Sequence, residues 1–179
     1  MLSESARMTT RAEARYRIEA PNSLPRAVKV IALDAASEAV VKRLAQLAWN
    51  RASFLTASAF LPSRSVQPAD RSTGAGSAFS MPGWLSDLAG RTKDLIDEIA
   101  SADLVVMIAT AGENAQAGSL IGEACGARHV MTTGLVLGTA GASDAALSKT
   151  LAQLRPCAMM LVAAGDEDYI EDMLIALRA

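Results

Sequence analysis

Two stretches decide the fold: Val28-Lys29-Val30-Ile31-Ala32-Leu33 running into Asp34-Ala35-Ala36-Ser37-Glu38, and Asp103-Leu104-Val105-Val106-Met107-Ile108-Ala109 running into Thr110-Ala111-Gly112-Glu113-Asn114-Ala115-Gln116. Each starts as a nearly unbroken apolar run, the pattern of a parallel strand covered on both faces. Each then passes through a short turn into a helix. Nucleotide-binding folds place glycines in such turns, because bare N–H groups at a helix N-terminus hold phosphate and glycine lets it approach closely. These turns carry Asp34, Glu38 and Glu113 instead. A carboxylate there repels phosphate, and Asp34 can fold back to cap the same N–H groups.

Working outward from the first stretch, strands and helices alternate. Strands are expected at 28–33, 53–57, 104–109, 130–137 and 158–163. Helices are expected at 37–49, 82–100, 114–125, 143–154 and 167–178. The helix at 82–100 rests on the spacing of Leu85, Leu88, Leu95, Ile96 and Ile99, and the one at 114–125 is expected to end at Gly126. Parallel strands joined by right-handed helical crossovers form a sheet between two helical layers. The expected fold class is α/β: a three-layer αβα, Rossmann-like sandwich around a five-stranded, mostly parallel sheet in the order 2-1-3-4-5 or a close variant. Residues 26–179 form one domain with a long loop at 61–83, preceded by a flexible N-terminal arm at 1–25. The loop holds three prolines and three glycines without apolar periodicity, as functional or disordered loops do.

Composition narrows the function classes. A net charge of −2 leaves no broad basic footprint for nucleic acid. No apolar run approaches the roughly 18–20 residues that span a bilayer, and the arm lacks the apolar centre of a secretory signal. Cys125 and Cys157 have neither the spacing nor the company of a metal site. A reducing, cytoplasmic setting is expected, with no nucleic-acid partner, no membrane and no cofactor.

In open α/β sheets ligands sit beyond the carboxyl ends of the strands, where strand order reverses. The strands at 28–33 and 104–109 flank that point. The candidate ligand-binding residues there are Asp34, Ser37, Thr110, Gly112, Glu113 and Asn114, with Thr139 and Asp166 following the later strands. Two readings stay open: the acids cap helices and complement their dipoles, or they line a pocket for a small polar or cationic ligand. A metal held by Asp34, Glu113 and Asp166 is a weaker third. His129 precedes a strand and so lies at the opposite, amino end of the sheet, which argues against a catalytic pair with a serine or cysteine. No residue is assigned a catalytic role. In the long loop, Arg71-Ser72-Thr73-Gly74-Ala75-Gly76-Ser77 reads as linker chemistry or as an anion wrap.

From residue 28 to about residue 137 the chain resembles the nucleotide domain of the tubulin and FtsZ superfamily. Residues 30–44 follow that family's first strand, glycine-rich loop and first helix. Arg71-Ser72-Thr73-Gly74-Ala75-Gly76 is similar to its short Gly-Ala-Gly stretch, and 102–112 resembles the strand before its signature loop. The family's glycine cluster is replaced by Asp34, Ala35, Ala36, Ser37 and Glu38, and its Gly-Gly-Gly-Thr-Gly-Thr-Gly by Glu113-Asn114-Ala115-Gln116-Ala117-Gly118-Ser119. The resemblance implies the family's fold without its GTP chemistry. A local second resemblance, Ile108-Ala109-Thr110-Ala111-Gly112-Glu113-Asn114, is to the sugar-phosphate turn of sugar isomerase domains, with Ala109 and Ala111 where the phosphate-holding serines stand.

The expected role is a non-catalytic interaction or regulatory module on a degenerate nucleotide-binding fold, with a homo-oligomer or another protein as partner. Mean hydropathy is +0.23, high for a chain poor in aromatics, and self-association through the helix faces at 143–154 and 167–178 follows from it. The alternative is a small-molecule (nucleotide or sugar-phosphate) binding domain, or an enzyme, using the carboxyl-terminal edge of the sheet, with its ligand at the junction of strands one and three.

Overall fold

A computed structural model describes residues 25–57, 84–165 and 168–179. The arm before residue 25, the whole loop at 61–83 and Asp166 lie outside the described residues. The chain is α/β. Its strands are β1 (Val28–Ala32), β2 (Ala52–Thr56), β3 (Trp84–Asp87), β4 (Thr92–Asp94), β5 (Leu104–Thr110), β6 (Met131–Leu137) and β7 (Met160–Ala163). Its helices are α1 (Ala35–Leu44), α2 (Leu95–Ala100), α3 (Ala117–Arg128), α4 (Asp144–Leu154) and α5 (Asp168–Ala176).

The strands form one sheet in the order β4-β3-β2-β1-β5-β6-β7. From β2 to β7 neighbouring strands are parallel, while β3 and β4 join as an antiparallel hairpin. The parallel part keeps the expected order 2-1-3-4-5, but the sheet has seven strands rather than five. Residue alternation explains why β1, apart from Lys29, and β5, apart from its last residue Thr110, are apolar. Ile31, Val105, Met107 and Ala109 face a core shared with α2, α3 and α4. Val28, Val30, Ala32, Leu104, Val106 and Ile108 face a second core shared with α1 and α5. Helices therefore cover both faces. Lys29, near the amino end of β1, is buried because its Nζ meets Glu98 Oε2 of α2 at 2.7 Å.

The expected helix at 82–100 is corrected: β3, a tight turn, β4 and the short α2 occupy its described part. Asp87 drives the change. Its Oδ1 accepts from the amides of Ala89 (3.0 Å) and Arg91 (2.8 Å), and its Oδ2 meets Arg91 Nε at 2.7 Å. Gly90 supplies the positive φ of 78° that the turn needs. Asp94 then restarts a helix by accepting from the amides of Ile96 and Asp97. Leu85, which fits a helical stripe on paper, is buried from a strand.

Helix ends also shift. α1 stops at Leu44, whose carbonyl accepts from Trp49 Nε1 at 2.7 Å. Gly126 lies inside α3, which ends when His129 adopts a left-handed conformation with φ 56°.

Candidate functional site

The carboxyl ends of β1 and β5 lie side by side, paired from Val28↔Leu104 to Ala32↔Ile108. Asp34 follows β1 in extended conformation and caps α1. Its Oδ1 accepts from the Ser37 amide at 2.8 Å, and Ser37 Oγ accepts in turn from the Asp34 amide at 3.2 Å, so the two close a capping box. The same carboxylate reaches across to β5. Oδ2 accepts from the Thr110 amide at 2.8 Å, and Oδ1 from Thr110 Oγ1 at 3.1 Å. Asp34 is only 7% exposed. This buried anion therefore sits at a helix N-terminus with donors on both oxygens, the arrangement that makes burial of a carboxylate tolerable.

Glu38, one turn further along α1, accepts from Thr56 Oγ1 at 3.1 Å and pairs with Lys42 Nζ at 2.6 Å. The first-turn acids thus pin α1 to β5 on one side and to the end of β2 on the other.

The β5–α3 turn is satisfied in the same manner. Gly112, at φ 91°, donates its amide to Thr150 Oγ1 of α4 at 2.9 Å. Ala115 donates to Gln153 Oε1 at 2.8 Å. Lys149 Nζ donates to the Gly112 carbonyl at 3.2 Å. Within the chain, Ala111 donates to the Leu137 carbonyl, Glu113 to the Thr110 carbonyl and Gln116 to Asn114 Oδ1. These amides are the groups that an anion at this turn would need.

Of the residues singled out from sequence, Asp34, Ser37 and Thr110 come together in one hydrogen-bonded cluster, and Gly112 follows two residues beyond it. Glu113 and Asn114 are exposed, and Asn114 Oδ1 is taken up by the Gln116 amide. Thr139 is half-buried beyond β6, next to Gly138 with its positive φ of 68°. Sequence reasoning missed Lys149, Thr150 and Gln153. Their one sequence signal is a threonine set among Leu147, Leu151 and Leu154 on the apolar face of a helix; Thr150 is fully buried there. Among the described residues, no buried side-chain polar atom lacks a partner, and no three His, Cys, Asp or Glu side chains converge as metal ligands.

At the amino end of the sheet lies a groove of about 580 Å³ between α3 and the turn into β7, lined by Glu123, His129, Met131, Pro156, Cys157 and Met159 among others. Gly122 forms part of this wall because a Cβ there would lie 2.3 Å from Cys157 Cβ. His129 and Cys157 thus share a groove, on the side of the sheet where His129 was expected. The thiol is not set up as a nucleophile. Cys157 Sγ donates to the Leu154 carbonyl at 3.2 Å, and burial raises its pKa. Burial, with the Cys157 thiol nearby, pushes Cys125 up to about 12. Both thiols stay protonated near neutrality, and the thiolate is the reactive form.

No helix among the described residues is long and apolar enough to cross a membrane. No family model matches the chain, and comparison with curated proteins finds no match.

Proposed function

We propose that this chain is a non-catalytic interaction module on a Rossmann-like, FtsZ-like αβα sandwich whose phosphate crevice is closed by the domain's own side chains. The observation that carries the reading is the Asp34 carboxylate. It occupies the position between β1 and β5 where a phosphate would be cradled, and it already accepts from the Ser37 amide and from both donors of Thr110. Thr150 and Gln153 do the corresponding work at the second turn by accepting from Gly112 and Ala115. A ligand there must break these bonds and approach a buried anion. The free thiols Cys125 and Cys157 fit a reducing, cytoplasmic setting.

Isothermal calorimetry with GTP, ATP and sugar phosphates tests the proposal. Binding no tighter than millimolar, about −4 kcal/mol, is expected for each. Micromolar affinity for any of them would replace this reading with the ligand-binding alternative.

A further inference from the structure

The groove between α3 and the turn into β7 has a volume of about 580 Å³, within the roughly 300–1,000 Å³ of small-molecule sites. Two glycines one turn apart on α3 shape its wall. Gly122 lets Cys157 close against the helix, since a Cβ there would lie 2.3 Å from Cys157 Cβ. At Gly126 a Cβ would meet nothing within 4 Å, so the space beside it is open. Val130, Pro156, Ala158 and Met159 add apolar lining. Met159 is 78% exposed, and its unbranched thioether can follow the shape of what it meets.

Several polar groups of the lining are already occupied. Ser119 Oγ donates to the Gln116 carbonyl at 2.8 Å, and Cys157 Sγ to the Leu154 carbonyl at 3.2 Å. Thr132 Oγ1 donates to the Cys157 carbonyl at 2.9 Å and accepts from the Met159 amide at 3.2 Å. The side chains of Glu123 and His129, by contrast, have no hydrogen bond or ion pair among the described residues. Glu123 brings a negative charge to the groove, and no lysine or arginine lines it. The backbone adds charge of the same sign. α3 ends at Arg128 and α4 at Leu154, and the chain beyond each end enters the lining, at His129 and at Pro156. The C-terminus of a helix carries about half a negative elementary charge. Arg128 and Arg155 stand at these two ends, but both are exposed and neither lines the groove.

We propose that this groove binds a small organic cation, an apolar body carrying a protonated amine, with the body against α3 and Met159 and the ammonium at the Glu123 carboxylate. The apolar walls take the body out of water, and the ammonium supplies the donors that Glu123 lacks. Other classes of ligand fit less well. An anion would meet Glu123 and two negative helix ends with no cation in the lining to offset them. A bare metal ion would need a set of ligands, and no three His, Cys, Asp or Glu side chains converge among the described residues. The groove lies at the opposite end of the sheet from Asp34, so the proposal holds or fails independently of the closed crevice.

Three indoles of similar shape and different charge test it: tryptamine as the cation, tryptophol as the neutral form and indole-3-propionate as the anion. Each is titrated into the nitrogen-15-labelled full chain and followed by amide chemical shifts. Tryptamine should saturate with a Kd below about 1 mM, and the other two should bind at least about tenfold more weakly. The shifts should centre on residues 119–132 and 156–159. Glu123→Gln, at an exposed position, should bring tryptamine down to the affinity of tryptophol and leave tryptophol unchanged. Tryptamine failing to saturate by about 10 mM, equal affinity for the three indoles, shifts centred elsewhere, or a Glu123→Gln variant that binds tryptamine as before would each overturn the proposal. The comparison of the three probes uses the unaltered chain and stands even if the variant folds poorly.

Discussion

Replacing Asp34 by alanine removes three kinds of support at once, and their sizes can be set from the geometry. The α1 cap at the Ser37 amide is worth about 1 kcal/mol. The Thr110 amide and hydroxyl lose a charged acceptor in a region where Asp34 itself is 7% exposed. Hydrogen bonds to a charged group contribute roughly 1.5–3 kcal/mol, and donors left buried carry a desolvation penalty. Allowing water to reach part of the gap, a loss of about 3 kcal/mol is expected. For a domain of this size the urea slope is about 2 kcal/mol per molar, so the unfolding midpoint should fall by about 1.5 M. Asp34→Asn keeps one acceptor oxygen but turns an amide NH₂ toward another donor, and should lose about 2 kcal/mol. Glu113→Ala, on an exposed neighbour in the adjoining turn, is the control and should stay within about 0.5 kcal/mol. Urea unfolding followed by circular dichroism measures all three. An Asp34→Ala shift below about 0.5 M would mean that the carboxylate does not bind the two strand ends together, and the closed crevice would lose its main support.

Thr150→Val, a near-isosteric change, should cost about 1–3 kcal/mol by leaving the Gly112 amide without its acceptor, read as a lowered Tm. Two glycines of α3 should respond in opposite directions in the same assay. Gly122→Ala drives a Cβ to 2.3 Å from Cys157 Cβ and should destabilise by at least about 1 kcal/mol. Gly126→Ala meets nothing within 4 Å inside a helix and should stabilise by about 0.5–1 kcal/mol. Because Cys125 rises from 9.0 to about 12 on folding, the folded state holds its proton more tightly. Its contribution is complete below pH 9 and is lost as pH climbs from 9 toward 12. Urea titrations across that range should show a decline that is shallower in Cys125→Ala, and an equal decline in both proteins would contradict the burial argument.

The parallel core was legible because a strand buried on both faces has no polar alternation to hide it. Residues 28–33 and 104–109 could be little else, and their neighbours followed from the crossover rule. The hairpin of β3 and β4 was misread as helix because Leu85, Leu88, Leu95, Ile96 and Ile99 also satisfy a period of 3.6. Two local features outweighed that spacing: the Asp87 carboxylate gathering the amides of Ala89 and Arg91, and Gly90 at positive φ. At the candidate site, the capping role of Asp34 was readable from Ser37 three residues on. Its bonds to Thr110, 76 residues away, were not. Nor was the reach of Thr150 and Gln153 to the β5–α3 turn, because a helix sequence shows which face is apolar but not which amide a lone polar residue on that face will meet.

These contacts also bound how far the crevice lies from a working phosphate site. A turn of this type with free amides and no acid could hold a phosphate ligand at micromolar strength, about −8 kcal/mol. Entry here would first displace Asp34 from Thr110 and Ser37, at about 3 kcal/mol by the estimate above, and then free the Gly112 amide from Thr150, at roughly 1 kcal/mol more. What remains, about −4 kcal/mol, is millimolar binding even before repulsion by the Asp34 carboxylate is counted. Full strength therefore takes changes on both turns. Removing Asp34 alone leaves Thr150 holding the Gly112 amide, at roughly 1 kcal/mol, so the single variant should lose stability yet gain phosphate binding at about −7 kcal/mol, about fivefold weaker than a fully open turn; calorimetry that finds it still millimolar would show that the Asp34 carboxylate is not what closes the turn.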